Sequence, residues 1–148
     1  MQRRSGFSLI ELMVAVAIVA IIAAIALPSY QAYLRRANRS AAEQVMLTIQ
    51  SREEQYFLDA RQYTATIGAG GLGIASQDTF RSCAATCTND FYTVSVSTVA
   101  GPPPGYFVRA VPIASSYQNS DGTLYLNANT AGAFTPGAKT RTAGDNKW

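Results

Sequence analysis

The stretch Gly6–Leu27, GFSLIELMVAVAIVAIIAAIAL, decides how the rest of the chain is read. From Phe7 to Leu27 it covers 21 positions and carries one charge, Glu11. As a helix this run is about 31 Å long, close to the thickness of a bilayer's hydrocarbon core. It reads first as a membrane-spanning helix, with Glu11 near one end. A lone carboxylate in such a segment costs on the order of 2–3 kcal/mol to insert, so it marks a function and calls for a partner.

Three readings compete for the segment. Arg3 and Arg4, the apolar run and the small-residue end Ala24-Ile25-Ala26 describe a secretory signal peptide, and a single-span anchor is the second reading. The signal peptide fits poorly, because apolar h-regions run about 7–15 residues and seldom hold an acid. The third follows from Gly6-Phe7-Ser8-Leu9-Ile10-Glu11, which closely resembles the Gly-Phe-Thr-Leu-Ile-Glu processing motif of type IV prepilins. The resemblance implies a leader of residues 1–6, cleavage between Gly6 and Phe7 by a prepilin peptidase, and N-methylation of Phe7.

Electrostatics gives that motif a physical sense. Cleavage would place a positive α-amino group at a helix N-terminus, where the macrodipole is already positive. Glu11 lies four residues on, one turn along the same face, and could neutralise its own amine. It could equally neutralise the amine of a neighbouring subunit, since unpaired charges in apolar surroundings are costly and paired ones much less so. The family resemblance implies the inter-subunit version, in which Glu11 sets the register of helix packing.

Charge and composition narrow the remaining functions. At 148 residues the chain has the length of one domain. Its formal net charge is +3, and without Arg3 and Arg4 the 12 basic side chains become 10 against 9 acidic ones. Such a head has no strong electrostatic footprint for nucleic acid, and nucleic-acid binding is not expected beyond a local patch. Absence of histidine from the sequence removes the commonest general base and metal ligand. Asp59, Asp78, Asp90, Asp121 and Asp145 are scattered singly. Neither an enzyme nor a cofactor or metal site is expected. With Arg3 and Arg4 on the cytoplasmic side, the positive-inside rule sends the C-terminal head across the membrane.

Pro28 follows the apolar run, and in a helix interior proline costs about 3 kcal/mol. The span could simply end there, yet helical spacing resumes at once through Tyr30, Tyr33, Leu34, Ala37, Ala41, Val45, Ile49 and Tyr56. Arg35, Arg39, Glu43, Gln50, Glu53 and Glu54 fall on the opposite side. One long helix is predicted, kinked or weakened near Pro28, apolar all round in its first half and amphipathic in its second. The runs Pro28-Ser29-Tyr30, Arg39-Ser40-Ala41-Ala42, Arg52-Glu53-Glu54-Gln55-Tyr56 and Tyr63-Thr64 resemble PilE-type minor pilins. That resemblance covers residues 1–64 well and the remainder loosely, and it makes Pro28 a point at which the helix can melt in a filament.

Beyond Thr64 the pattern dissolves. Gly68-Ala69-Gly70-Gly71-Leu72-Gly73 lacks the preceding strand of a dinucleotide site and the lysine of a P-loop, so a flexible loop is expected. Cys83 and Cys87 are the chain's two cysteines. An even count beside an export signal favours a disulfide between them, fixing the turn before the first strand, with two free thiols as the alternative. Tyr92, Val94 and Val96 alternate with polar residues; so do Tyr106, Val108 and Ala110 after Pro102-Pro103-Pro104-Gly105, and Leu124, Leu126 and Ala128 after the turn signal Asp121-Gly122. These make three antiparallel strands, whose hydrophobic partner is the helical face from Tyr30 to Tyr56. The tail Asn129–Trp148 ends in Lys147-Trp148, where many PilE-like chains end in Cys-Trp; Trp148 is expected to anchor it by packing.

The fold expected is α+β: a long N-terminal helix on a small antiparallel sheet, the type IV pilin arrangement. Residues 7–34 form the transmembrane and filament-core half of the helix, and residues 35–148 the head. The function implied is a structural, minor subunit of a type IV pilus serving pilus biogenesis, twitching motility or adhesion. Its partners would be other pilins, the prepilin peptidase/methyltransferase and the assembly machinery of the inner membrane. It would sit in the inner membrane before assembly and in an extracellular filament after it. The alternatives are a type II secretion or DNA-uptake pseudopilin and, from a different class, a Sec-secreted small binding protein starting near Leu27.

Overall fold

A computed structural model describes residues 8–76, 80–128 and 139–140. Helix α1 runs over Leu9–Ala60 without a break at Pro28. Ser8 starts it, its carbonyl accepting from the Glu11 N–H at 3.1 Å and the Leu12 N–H at 3.2 Å. The chain divides into two units, Met1–Arg36 and Ala37–Trp148.

In the first unit α1 turns apolar side chains outward on every side. Leu9, Ile10, Leu12, Met13, Val14, Val16, Ile18, Val19, Ile21, Ile22, Ile25 and Leu27 are all more than half exposed. The helix is long and apolar enough to cross a membrane.

In the second unit the strands are β1 (Ser82–Cys83), β2 (Thr86–Thr88), β3 (Tyr92–Val99), β4 (Gly105–Pro112), β5 (Leu124–Ala128) and β6 (Lys139–Thr140). They form one six-stranded sheet in sequential order, every neighbouring pair antiparallel. The α+β architecture expected from the pattern is present. The three long strands lie where alternation placed them, and β3 meets β4 with Val99 opposite Gly105 across the proline-rich turn. β1, β2 and β6 were not foreseen, because strands of two or three residues show too little alternation to be seen in sequence.

The core follows from period-two alternation on the sheet and helical periodicity on α1. Tyr92, Val94 and Val96 from β3, Tyr106, Val108 and Ala110 from β4, and Leu124 and Leu126 from β5 are buried. They share a core cluster with Ala42, Val45, Met46 and Ile49 of α1. The predicted helical face is thus corrected in phase. Val45 and Ile49 belong to it, Ala42 and Met46 join them, and Tyr30 and Tyr33 of the first unit stand 61% and 65% exposed. Glu53, placed on the polar side by its charge, is fully buried. It stands four residues after Ile49, one turn along the buried stripe.

The glycine-rich segment is irregular, as expected, but it is not a loose loop. Ile67, Leu72 and Ile74 are buried in the core. The Gly68 N–H donates to the Ala84 carbonyl at 2.7 Å, and the Leu72 and Ile74 N–H groups donate to the carbonyls of Thr66 and Ile67 at 3.0 Å. Gly71 is required by this close approach: a Cβ there would lie 2.0 Å from the Thr66 carbonyl oxygen. Gly71→Ala is expected to lower the unfolding free energy by about 1–3 kcal/mol. Ala69→Ser at an exposed position of the same segment should change it by less than about 0.5 kcal/mol. Denaturant titration of the full chain in detergent measures both.

Candidate functional site

The sequence singles out six residues, and the structure brings two of them together. Cys83 and Cys87 form a disulfide with their Cα atoms 4.1 Å apart. They are directly opposed across β1 and β2, so the bond staples a hairpin whose turn is Ala84-Ala85. Glu11 lies in the first turn of α1, where a negative charge suits the macrodipole, and its side chain is exposed. Pro28 lies in the helix interior, exposed and 17 positions further on. Gly6 and Phe7 fall outside the described residues, as does the tail apart from residues 139–140.

A polar cluster that the sequence reading missed ties the helix of the head to the connection between β4 and β5. Asp121, read as part of a turn signal, ends the short 3-10 helix Asn119–Asp121 and is 3% exposed. Arg39 of α1 meets it with both arms of its fork: Nε donates to Oδ2 at 2.9 Å, and Nη2 donates to Oδ1. The Tyr92 hydroxyl of β3 also donates to Oδ2. Gln118 Nε2 donates to the Tyr92 oxygen at 3.0 Å. Asn38 Nδ2 donates to the Tyr117 hydroxyl at 2.7 Å and lies 3.4 Å from Gln118 Oε1. Arg39 was placed on the solvated side of the helix and Asp121 was read as isolated; 82 positions separate them, so no sequence spacing could pair them.

The electrostatics of the cluster favour its ionised form. Burial pushes the Asp121 carboxyl up, but hydrogen bonds from Arg39, Tyr92 and Gln118, with the guanidinium's charge, outweigh burial and hold it below its ordinary value. Arg39 is held above its ordinary value, first by its hydrogen bond to Asp121. The Tyr92 phenol is raised by burial and by donating to Asp121, so it stays a donor. This arrangement is a structural clamp that ties α1 to β3 and to the β4–β5 connection. Among the described residues no group of three or more Cys, Asp or Glu side chains could hold a metal ion.

A second polar group lies at the far end of α1. Glu53 Oε2 accepts the Thr64 N–H at 3.2 Å, whereas the buried Oε1 has no hydrogen-bond partner. Tyr63, one residue before Thr64, contacts the rings of both Phe57 and Tyr106, with centroids 4.7 Å apart in each case. The Tyr106 hydroxyl lies 3.3 Å from Glu54 Oε1 and 3.4 Å from the Gln50 carbonyl.

Comparison with known proteins places these features in a family. Residues 1–27 match the prokaryotic N-terminal methylation motif. Residues 28–139, most of the chain, match the family described as type IV minor pilin ComP, DNA uptake sequence receptor. The chain belongs to this type IV minor pilin family. Among similar proteins, the fimbrial protein EcpC of Eikenella corrodens is 39% identical over 71 residues, 48% of this chain and 46% of that one. Prepilin peptidase-dependent protein D of Escherichia coli strain K12 is 38% identical over 81 residues, 55% of each. The type IV major pilin protein PilE1 of Neisseria gonorrhoeae is 37% identical over 75 residues, 51% of this chain and 46% of that one. The chain thus spans about half the length of the curated relatives it matches. Family and relatives alike are pilins and fimbrial proteins, which points to a structural role.

The clamp makes a direct prediction. Asp121→Ala leaves Arg39 and Tyr92 without their shared acceptor and should destabilise the head by about 3–5 kcal/mol, read as a shift in the denaturation midpoint. Because the folded carboxyl lies below its unfolded value of 3.8, the native state binds fewer protons than the unfolded state as that group titrates. Its stabilising contribution is therefore complete above about pH 5 and is lost as pH falls through the folded value, so wild type and Asp121→Ala should converge in stability in acid.

Proposed function

We propose that this chain is a minor structural subunit of a type IV pilus. The observation that supports this most strongly is the apolar surface of Leu9–Leu27, open on every side of a helix that lies within the matched methylation motif. At about 25 cal/mol per Å² of apolar surface, such a helix is strongly unfavourable in water and needs lipid or other helices around it. Lipid serves before assembly, and the same segment of neighbouring subunits replaces it afterwards. In this reading the prepilin peptidase cuts between Gly6 and Phe7 and the new N-terminus is methylated. Residues 7–34 then leave the inner membrane with the help of its assembly machinery, and the head faces outward on an extracellular filament.

Glu11 provides the register. An exposed carboxylate in an apolar first turn is costly unless it meets a cation, and the amine of an incoming Phe7 supplies one. Pro28 removes one hydrogen bond from the ladder and gives the helix its point of least resistance. Glu11→Val is expected to be inserted and cleaved normally but to be at least tenfold depleted from sheared filaments, as measured by immunoblotting filament and membrane fractions. Incorporation at the wild-type level would contradict the proposed role of Glu11.

A second reading, DNA uptake, is favoured by the family description, whose match over residues 28–139 takes in most of the head. The nearly neutral head argues against a large electrostatic footprint, so DNA contact would rest on a few exposed cations, among which are Arg52, Arg61, Arg81 and Arg109. Full-length protein in detergent should then bind duplex DNA with an affinity that falls as salt rises. A logarithmic slope of magnitude about 2–4 would match two to four phosphate contacts. Binding no tighter than that of a detergent-only control would remove this reading and leave the pilus role intact.

A further inference from the structure

Among the described residues Glu53 is an anomalous buried acid. Its side chain is fully enclosed, one carboxyl oxygen accepts a single backbone hydrogen bond, and the other has no partner. Buried carboxylates ordinarily gain a cation or several donors, because an ionised group left with neither is expensive. The charged neighbour that acts on Glu53 is Glu54, of the same sign and on the same helix. From β4 Tyr106 stands close enough for the Glu53 charge to act on it, its hydroxyl lies near Glu54 and Gln50, and Tyr63 of the following loop packs against the Tyr106 ring. Such surroundings suit a neutral carboxylic acid better than a carboxylate.

The hydrogen bond that Glu53 does make is well placed to matter. Thr64 begins the segment that carries Ile67 into the core and then the glycine-rich turns, which bond to the β1–β2 hairpin through Gly68 and Ala84. Tyr63, next to Thr64, stacks between Phe57 at the end of α1 and Tyr106 of β4. One side chain thus holds the first backbone group of the loop, next to the residue that makes the aromatic contact.

We propose that Glu53 is a proton-operated latch: protonated, it holds Tyr63–Ile67 closed over the end of α1, and loss of its proton releases that segment. Burial, with a further push from the Glu54 charge, raises its carboxyl from 4.5 to about 7, against the smaller opposing effect of the Thr64 N–H. In the open segment the group returns to the ordinary carboxylate range. Between about pH 4.5 and pH 7 the closed form keeps a proton that the open form gives up, so raising the pH favours opening. Above pH 7 both forms are ionised and the balance stops changing. The released state would uncover Phe57, Tyr63 and Tyr106, an aromatic surface whose availability depends on pH near neutrality.

Hydrogen exchange on the full-length protein in detergent micelles tests this, read by mass spectrometry on peptides covering residues 63–67 from pH 5 to 8 and corrected for intrinsic exchange. In the wild type, protection should fall by up to about tenfold per pH unit and level off near pH 7. Glu53→Gln, neutral and nearly isosteric, should show no such slope. Glu54→Gln should keep the slope but move its plateau to lower pH, because one of the forces raising Glu53 is gone. A flat wild-type profile, or equal slopes in wild type and Glu53→Gln, would overturn the latch. If Glu53→Gln does not fold, carbon-13 NMR of the Glu53 carboxyl decides: titration near 7 supports the proposal and titration in the ordinary carboxylate range ends it.

Discussion

Strands β3, β4 and β5 turn Tyr, Val, Ala and Leu side chains to one side of the sheet, and a small sheet is stable only when that side is covered. Ala42, Val45, Met46 and Ile49 of α1 supply the cover. Much of the head depends on this contact. It fixes which face of the helix turns inward, brings Arg39 within reach of Asp121, and carries Glu53 into the interior, where it meets the Thr64 N–H. Two polar attachments then bracket the apolar one: the Arg39–Asp121–Tyr92 cluster near residue 39 and the Thr64–Glu53 bond near the helix end. The first is rich in donors and pairs opposite charges, whereas the second leaves one oxygen without a partner. The same helix is therefore held firmly at one end of the head and conditionally at the other.

The first unit obeys a different constraint. An amphipathic helix solves its solvation problem with one buried stripe, but the Leu9–Leu27 stretch has no polar face to leave in water. Lipid and a bundle of identical helices are both suitable surroundings for it. The change from one to the other exchanges dispersion contacts with acyl chains for contacts with side chains, and hydrophobic transfer alone gives little net drive. In the proposed assembly, direction and register would come from something polar, and Glu11 is the one acid in the stretch. Pro28, further along, is tolerated because the helix continues on both sides of it.

Much of this was legible in the chain. Twenty-one residues with a single acid announce the apolar, outward-facing half of the helix, and the alternations at Tyr92–Val96, Tyr106–Ala110 and Leu124–Leu126 announce the sheet together with its inward face. The disulfide was legible because two cysteines allow one pairing. What escaped was set by three-dimensional phase. Glu53 was assigned to solvent by its charge, although its position one turn beyond Ile49 puts it on the buried stripe. The Arg39–Asp121 pair spans 82 positions, and Asp121-Gly122 reads locally as a turn, so nothing nearby signals a buried acceptor. Gly68–Gly73 looked loose because glycine is permissive, while the close approach of Gly71 to Thr66 that demands it appears only once the loop is folded. The family's link to DNA uptake was within reach only as an alternative that the prepilin resemblance offered, because a head of nearly balanced charge gives no compositional hint of a nucleic-acid partner.

The account stands on the apolar helix being retained in the mature protein and ending at a processed pilin N-terminus. N-terminal sequencing and intact mass of the protein recovered from sheared filaments of its native cells test that claim most directly. The account predicts a chain starting at Phe7, carrying one added methyl group on its amine and retaining the Cys83–Cys87 disulfide. A mature chain starting near Leu27 would mean that the helix is discarded as a signal, and would contradict the account at its foundation.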